Sequence, residues 1–333
     1  MMSTDVISRR RLIRLAGAIG LSAPPFLRAT SALAAFPNKA IRIIVPASPG
    51  GAADITARLL TGGMQEILGV PVVIDNKPGG GTNIGLGATA RADADGYTIG
   101  LSTSAFVINP GLYERLPFDP LKDFAGVCEV SSAPGVLVVR PDLGVKTIRE
   151  FVDLAKRDPK KFNISTPTIG TPPQLQAEVL KQREGLTDMA TIVFGGGGDA
   201  VTALLSNTVQ ICSGVLATVH DHVTSGTLKA LGVSGKQRWH DLPDVPTMVE
   251  SGMNDFEFDN YTAVVAPVKT PEEILVRLEK ASLEVVRRPE ISNRLVQTGS
   301  VVTALSGTEH MARVAREVPM YREIIARAGM KKL

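Results

Sequence analysis

The sequence predicts an α/β protein of two domains, and three observations carry that prediction. Strand and helix signals alternate along nearly the whole chain, the pattern of parallel sheets with helical crossovers. Two proline-marked stretches bracket a second α/β series, so the chain enters a second domain and returns from it. Its 333 residues, 44% hydrophobic but only 5% aromatic, suffice for one large or two medium cores.

Residues 1–34 stand apart from this pattern. "SRRRLIRLAGAIGLSAPPFLRATSALAA" joins a basic start to an apolar run from Leu15 and an Ala-x-Ala pattern at Ala32 and Ala34. This reads as an export leader cleaved near Ala34, which places the working protein in the periplasm. Ser8, Arg9, Arg10, Leu12 and Ile13 match a twin-arginine signal; an ordinary secretory leader with an additional arginine is the alternative. The leader holds five arginines against Asp5, so the remainder has 31 basic against 32 acidic residues although the whole chain carries +3. No basic stripe is left for nucleic acid. No later apolar run reaches the roughly 18 residues of a membrane span. Cys128 and Cys212 could pair in an oxidising compartment, but two buried thiols are the simpler reading.

After the leader, "AIRIIVPA" is the first strand and "ADITARLLTGGMQEIL" an amphipathic helix behind it. "VPVVIDN" and "YTIGLSTS" are further strands, with the turn "KPGGGTNIG" and a short helix between them. From "NPGLYERLPFDPLKDF" the pattern loosens into a proline-rich connection before "GVLVVRP". "TIREFVDLAKRDP" is a helix with a capping box, Thr147 with Glu150. "FNISTP", "TIVFGG", "VQICSG" and "LKALGVSG" are the strands of the second series. "RWHDLPDVPTMVESGMNDFEFDNYTAVVAP" is irregular again, and two helices close the chain, one capped by Thr270 with Glu273, the other from about Thr308. The domains are then residues 35–132 with 259–333, and residues 133–258. Linkers fall near Phe124 to Pro134 and Asp259 to Ala263, and the cleft between the domains is the natural ligand site.

Three glycine-rich turns carry the chemistry. In "PASPGGAAD", Gly50 and Gly51 allow backbone shapes closed to other residues, and Ala52, Ala53 and Asp54 form the first helical turn. Amides exposed there favour an anion; a plain helix start, with Asp54 as cap, explains the same residues. In "STPTIGTPPQLQ", Thr166, Thr168 and Thr171 crowd a turn around Gly170, which suits a carboxylate or simple capping by Thr171. "KPGGGTNIGLG" approaches a dinucleotide fingerprint, but the following strand ends in hydroxyls rather than the acidic residue that holds a ribose. "FGGGGDA" opens a further helix with Asp199 in its first turn. His220-Asp221-His222 lacks a third spaced ligand, so it reads as a polar helix face rather than a metal site. No nucleophile elbow and no paired acid and base emerge, so no catalytic residue is assigned and no cofactor is expected.

With those turns in view, the chain resembles the periplasmic solute receptors of tripartite tricarboxylate transporters, the Bug receptors. The likeness spans the chain beyond the leader and rests on "IIVPASPGGAADITARLL", "NKPGGGTNIG", "DADGYTIGLST", "INPGLYERLPFDPLKDFAGV", "LPDVPTMVESG" and "APVKTPEEI" in family order. The resemblance implies a two-domain periplasmic binding protein of the Venus-flytrap kind, type II-like. It also implies a small organic carboxylate held between turns and delivered unchanged to membrane permease subunits. Carried over by position, the ligand-binding residues are Ser48, Gly50, Gly51, Ala52, Asp54, Thr166, Thr168, Gly170, Thr171 and Asp199. In the family these turns use amides, hydroxyls and bridging water rather than arginine. Thr168 stands where the family has glycine, Gln174 where it has histidine, Phe194-Gly195-Gly196 where it has Tyr-Lys-Gly, and Tyr261 where it has tryptophan. These departures leave the fold intact and bear on the solute. The competing class is an exported α/β enzyme or nucleotide-cofactor protein.

Changing Arg9 and Arg10 together to Lys blocks export if the twin-arginine reading holds; normal accumulation of that variant in the periplasm would assign the leader to the ordinary route.

Overall fold

The near-continuous apolar run of β1 (Ile41–Val45) is what a parallel strand covered on both faces requires. It pairs in parallel with β2 (Val72–Asn76) and β3 (Thr98–Thr103). The helices α1 (Ala52–Leu68) and α2 (Asn83–Ala90) make the crossovers. α1 buries Ala53, Ala57, Leu60, Met64 and Leu68, the spacing of one helical face. The computed structural model describes residues 36–333 except Gly51, Asp255 and Thr298. The expected leader, with its twin arginines and expected cleavage site, and the expected site residue Gly51 lie outside the described residues.

The proline-rich connection expected after β3 is more ordered than the sequence suggests. Asn109, Pro110 and Gly111 fall inside α3 (Ala105–Leu112). Pro110 sits in the last turn, where its missing N–H forfeits a single helical bond. The first linker, too, is a strand. β4 (Phe124–Val139) is 16 residues long, and Phe124 to Pro134 pair antiparallel with β9 (Asp259–Pro267), Pro134 opposite Asp259. Both crossings are therefore one paired ladder rather than two loops. Breakers such as Gly126 and Pro134 hid this from the sequence; the ladder absorbs them by register shifts between Gly126 and Cys128 and between Glu129 and Ser131.

Beyond Pro134, β4 changes partners. Gly135 to Val139 pair with β7 (Ile211–Val215) on one side and Val136 to Val139 with β8 (Lys229–Val233) on the other. β5 (Asn163–Thr166) lies beside β7 and carries β6 (Ala190–Val193) at the edge. α4 (Ile148–Arg157), α5 (Pro172–Glu184), α6 (Gly197–Leu205) and α7 (Leu216–Thr224) connect these strands. The sheet thus has a first lobe, ordered β2-β1-β3-β9-β4, and a second, ordered β4-β7-β5-β6. At the change-over Gly135 admits no side chain: a Cβ there would lie 2.2 Å from Gln176 Oε1 and 2.6 Å from Ser234 Oγ. One buried apolar cluster runs through both lobes, from Phe106, Phe118 and Phe124 past Leu137 to Ile164, Leu175 and Leu180.

The chain ends in the first lobe with α8 (Glu272–Val286), α9 (Pro289–Gln297), β10 (Val301–Ser306) and α10 (Gly307–Arg327). Three helices and a strand close it, not two helices. Several caps differ from expectation. Thr147 does accept from the Glu150 amide, but Glu150 reaches the Lys146 amide instead of completing a box. Thr270 does not cap α8; it closes a turn onto the Pro267 carbonyl and Pro271 takes the cap position. The full capping box is at α10, Ser306 with Glu309. Cys128 and Cys212 are both free and buried, and burial pushes their thiols up to about 12 and about 11.

α10 fastens the ladder from one side. The Arg313 guanidinium donates to Glu129 on β4 at 3.0 Å and to Glu317 at 2.6 Å, reaches Asp259 at 3.5 Å, and lies 4.6 Å over the Tyr261 ring. His310 Nδ1 stands 3.0 Å from Glu129, and both side chains are wholly buried. Removing one member of such a group strands the others as uncompensated charge. Arg313→Met lowers the unfolding free energy by about 3–5 kcal/mol in urea; a loss below about 1 kcal/mol would mean that solvent already screens the cluster.

Candidate functional site

The first turn is organised by Asp54. Its carboxylate is buried and accepts from the Gly50 amide at 2.9 Å, Asn76 Nδ2 at 2.9 Å, and Arg58 Nε and Nη2 at 2.8 and 3.1 Å. Asn76 also donates to the Ala47 carbonyl at 2.9 Å. Arg58 holds the acid at about 2, with the Gly50 and Asn76 donors adding to the effect against burial. The negative charge of this turn is therefore neutralised within the turn. Gly50 takes φ +81°, a shape that suits glycine, and Ser48 is exposed. α1 begins at Ala52, so the first amides of that helix face the turn. The Gly50 amide itself is spent on Asp54.

The second turn is poorer in donors than the sequence suggests. α5 opens with Pro172 and Pro173, which have no N–H. The Gly170 amide donates to Gln174 Oε1 at 2.8 Å, so the residue standing in place of histidine occupies it. Thr171 does not cap α5 with its side chain; its hydroxyl turns back to the Thr168 carbonyl at 2.7 Å. Thr166 is fully buried, its hydroxyl 3.2 Å from the Pro167 carbonyl. Thr168 is the exposed hydroxyl, and it reaches the Gly195 carbonyl at 3.3 Å. That bond, with Phe194 N to Thr166 O at 3.0 Å, ties this turn to the head of α6, where Asp199 is exposed in the first turn.

The third glycine turn runs Gly79, Gly80, Gly81 and Thr82 at φ +114°, +58°, +60° and +78°. Its geometry consumes the amides a phosphate would need: Asn83 N bonds Gly80 O at 3.2 Å and Ile84 N bonds Gly79 O at 3.4 Å. Its apex meets the second turn instead, since a Cβ on Gly81 would stand 3.5 Å from the Ile169 carbonyl oxygen. Residues singled out on opposite lobes are thus neighbours. His220 lies against Asp221 and Asp241, and among the described residues no three His, Cys, Asp or Glu side chains gather closely enough to hold a metal.

The family model for the tripartite tricarboxylate transporter family receptor matches residues 56–330. The chain belongs to that receptor family. Two Bordetella pertussis proteins are similar over most of their length. One, a UPF0065 protein, is 36% identical over 79% of this chain and 81% of its own; BugT is 31% identical over 89% and 91%. Among solved structures, Rhodopseudomonas palustris Rpa4515 with adipate superposes with a TM-score of 0.81 at 25% identity, covering 90% of this chain and all of its own. MatC from the same organism, with bound malate, gives 0.79 at 26%, covering 87% and 100%. The family and these neighbours are solute-binding receptors rather than enzymes, and the fold is the two-domain binding-protein fold.

Three side chains of this receptor that organise the turns were not singled out in the sequence. Arg58 had a readable signal, since it stands four residues after Asp54 on one helix. Asn76 and Asn109 had none, because each acts on a turn far from it in the chain.

The acid of Asp54 stabilises the receptor at pH values above its ordinary 3.8, and that contribution is lost as pH falls through about 2. Asp54→Asn should flatten this acid limb of the stability curve; parallel curves for both proteins between pH 4 and 2 would place the charge outside the folding balance.

Proposed function

We propose that the receptor captures a small organic carboxylate in the cleft between the lobes, in the periplasm, and delivers it unchanged to the permease subunits of a tripartite tricarboxylate transporter. The lobes that close are residues 35–132 with 259–333 and residues 133–258. One observation carries this reading: the helix-opening turn of each lobe brings an exposed hydroxyl to the surface, Ser48 in the first and Thr168 in the second, while the Arg58 guanidinium beside the first turn is committed to Asp54. The carboxylate takes the Ala52 and Thr171 amides and the Ser48 hydroxyl, and Thr168 gives up its bond to the Gly195 carbonyl to donate to it, partly through water, with Thr166, Gly170 and Gly51 shaping the turns. An ionised acceptor gains about 1.5–3 kcal/mol from each such donor, against roughly 0.5–1.5 for a neutral one.

The relatives bound to malate and adipate support the solute class. Phe194-Gly195-Gly196 brings no ammonium, and Asp199 adds an exposed carboxylate at the head of α6. The far end of the solute therefore meets an acidic rather than a basic second lobe, which favours a neutral or cationic distal group over a second carboxylate.

A thermal-shift screen of carboxylates, including malate and adipate, with mass spectrometry of the recovered solute, tests the assignment. A receptor melts higher with its solute and returns it intact; a chemically altered solute, or no shift with any carboxylate, would overturn it. For the solute that shifts most, Thr168→Val weakens calorimetric affinity about tenfold, roughly 1.4 kcal/mol. Unchanged affinity would put the carboxylate elsewhere.

A further inference from the structure

The third glycine turn has no part in the solute reading so far, yet it lies against the second-lobe turn. Between them stands Asn109, on α3 of the first lobe and wholly buried. Its Nδ2 donates to the Gly81 carbonyl at 2.8 Å and to Asn83 Oδ1 at 2.7 Å. Both are acceptors, which fixes which end of the amide is nitrogen. Its Oδ1 is thereby turned away from its own turn, and among the described residues it has no hydrogen-bond partner. It faces Gly170 of the other lobe: a Cβ there would lie 2.4 Å from Oδ1 and 3.6 Å from Leu112 Cδ2. Gly170 has φ +76° and an amide already given to Gln174, so it offers Asn109 a surface without a donor.

We propose that Asn109 is a positioning residue for capture: anchored to the Gly79–Asn83 turn, it seats Ile169 and Gly170 of the second lobe when the lobes meet. The inference rests on the reading that residues 166–171 face the solute. The seat is made reversible by its own chemistry. A carbonyl oxygen buried without a donor is disfavoured, and parting the lobes lets water reach it. The contact therefore already forms without solute whenever the lobes meet, and a solute bridging the two lobes prolongs it. Substitution on one lobe must then be felt on the other, which a merely local packing role does not require.

Hydrogen exchange on the solute-free receptor, read by mass spectrometry, tests this across the lobes. Asn109→Ala should speed exchange about tenfold in residues 166–175, and Gly170→Ala should do the same in residues 79–84, with residues 41–45 unchanged. If Asn109→Ala fails to fold, Gly170→Ala still decides, because it presses on Asn109 from the second lobe and removes none of the groups by which Asn109 holds its own turn. Effects confined to the substituted lobe would overturn the proposal even where a carboxylate still binds. Cross-lobe effects in a receptor that binds no carboxylate would uphold the contact and count against the solute reading alone.

Discussion

Everything else in the structure hangs on the antiparallel ladder between β4 and β9. It is the route by which the chain leaves the first lobe and the route by which it returns. Because β4 continues past Pro134 into the second lobe, one strand is a structural member of both sheets. If the lobes close as proposed, the bend falls near Gly135 and Phe258, where the ladder ends with Gly135 N bonded to Phe258 O at 3.1 Å. Two free linkers would permit many relative orientations; a paired ladder permits few.

The ladder also dictates where charge is placed. Glu129 and Asp259 lie on its two strands, and Arg313 from α10 reaches both. Burial alone would push Glu129 up, yet His310 and Arg313 hold it below the usual carboxylate range. The turns at the ends of β1 and β5 follow the opposite policy. Among the described residues of those turns the one buried acid, Asp54, is neutralised locally, and what remains is hydroxyl and amide. Fixed charge is concentrated where the lobes join, and the turns are left to hydrogen bonds.

Much of the fold was legible because its signals are local. The apolar runs of β1 and of β5 to β8 and the amphipathic pattern of α1 need no tertiary knowledge. β4 was not legible, since Pro134 and its glycines read as breakers when the register shifts that accommodate them are unseen. α3 was hidden by Asn109-Pro110-Gly111, residues that usually mark a turn. At the site, the two turns could be named, but not how their donors are spent. Gln174 taking the Gly170 amide, and Asn76 holding the Ala47 carbonyl, depend on side chains meeting in space. Thr270 shows the same limit at a helix start, where one proline moved the cap by a residue.

The joint between the lobes is a main-chain ladder fastened by Glu129, His310 and Arg313, and it owes nothing to the side chains of the second-lobe turns. Thr168, Phe194, Gly195 and Asp199 lie on turns of the second lobe, and none belongs to the β4–β9 ladder. Such positions can be exchanged one at a time without disturbing the register that carries the lobes. If those turns hold the solute and the joint moves, as proposed, the architecture separates inheritance of the moving part from choice of cargo. A change of diet asks for new side chains at the rim, while the axle is left as it was.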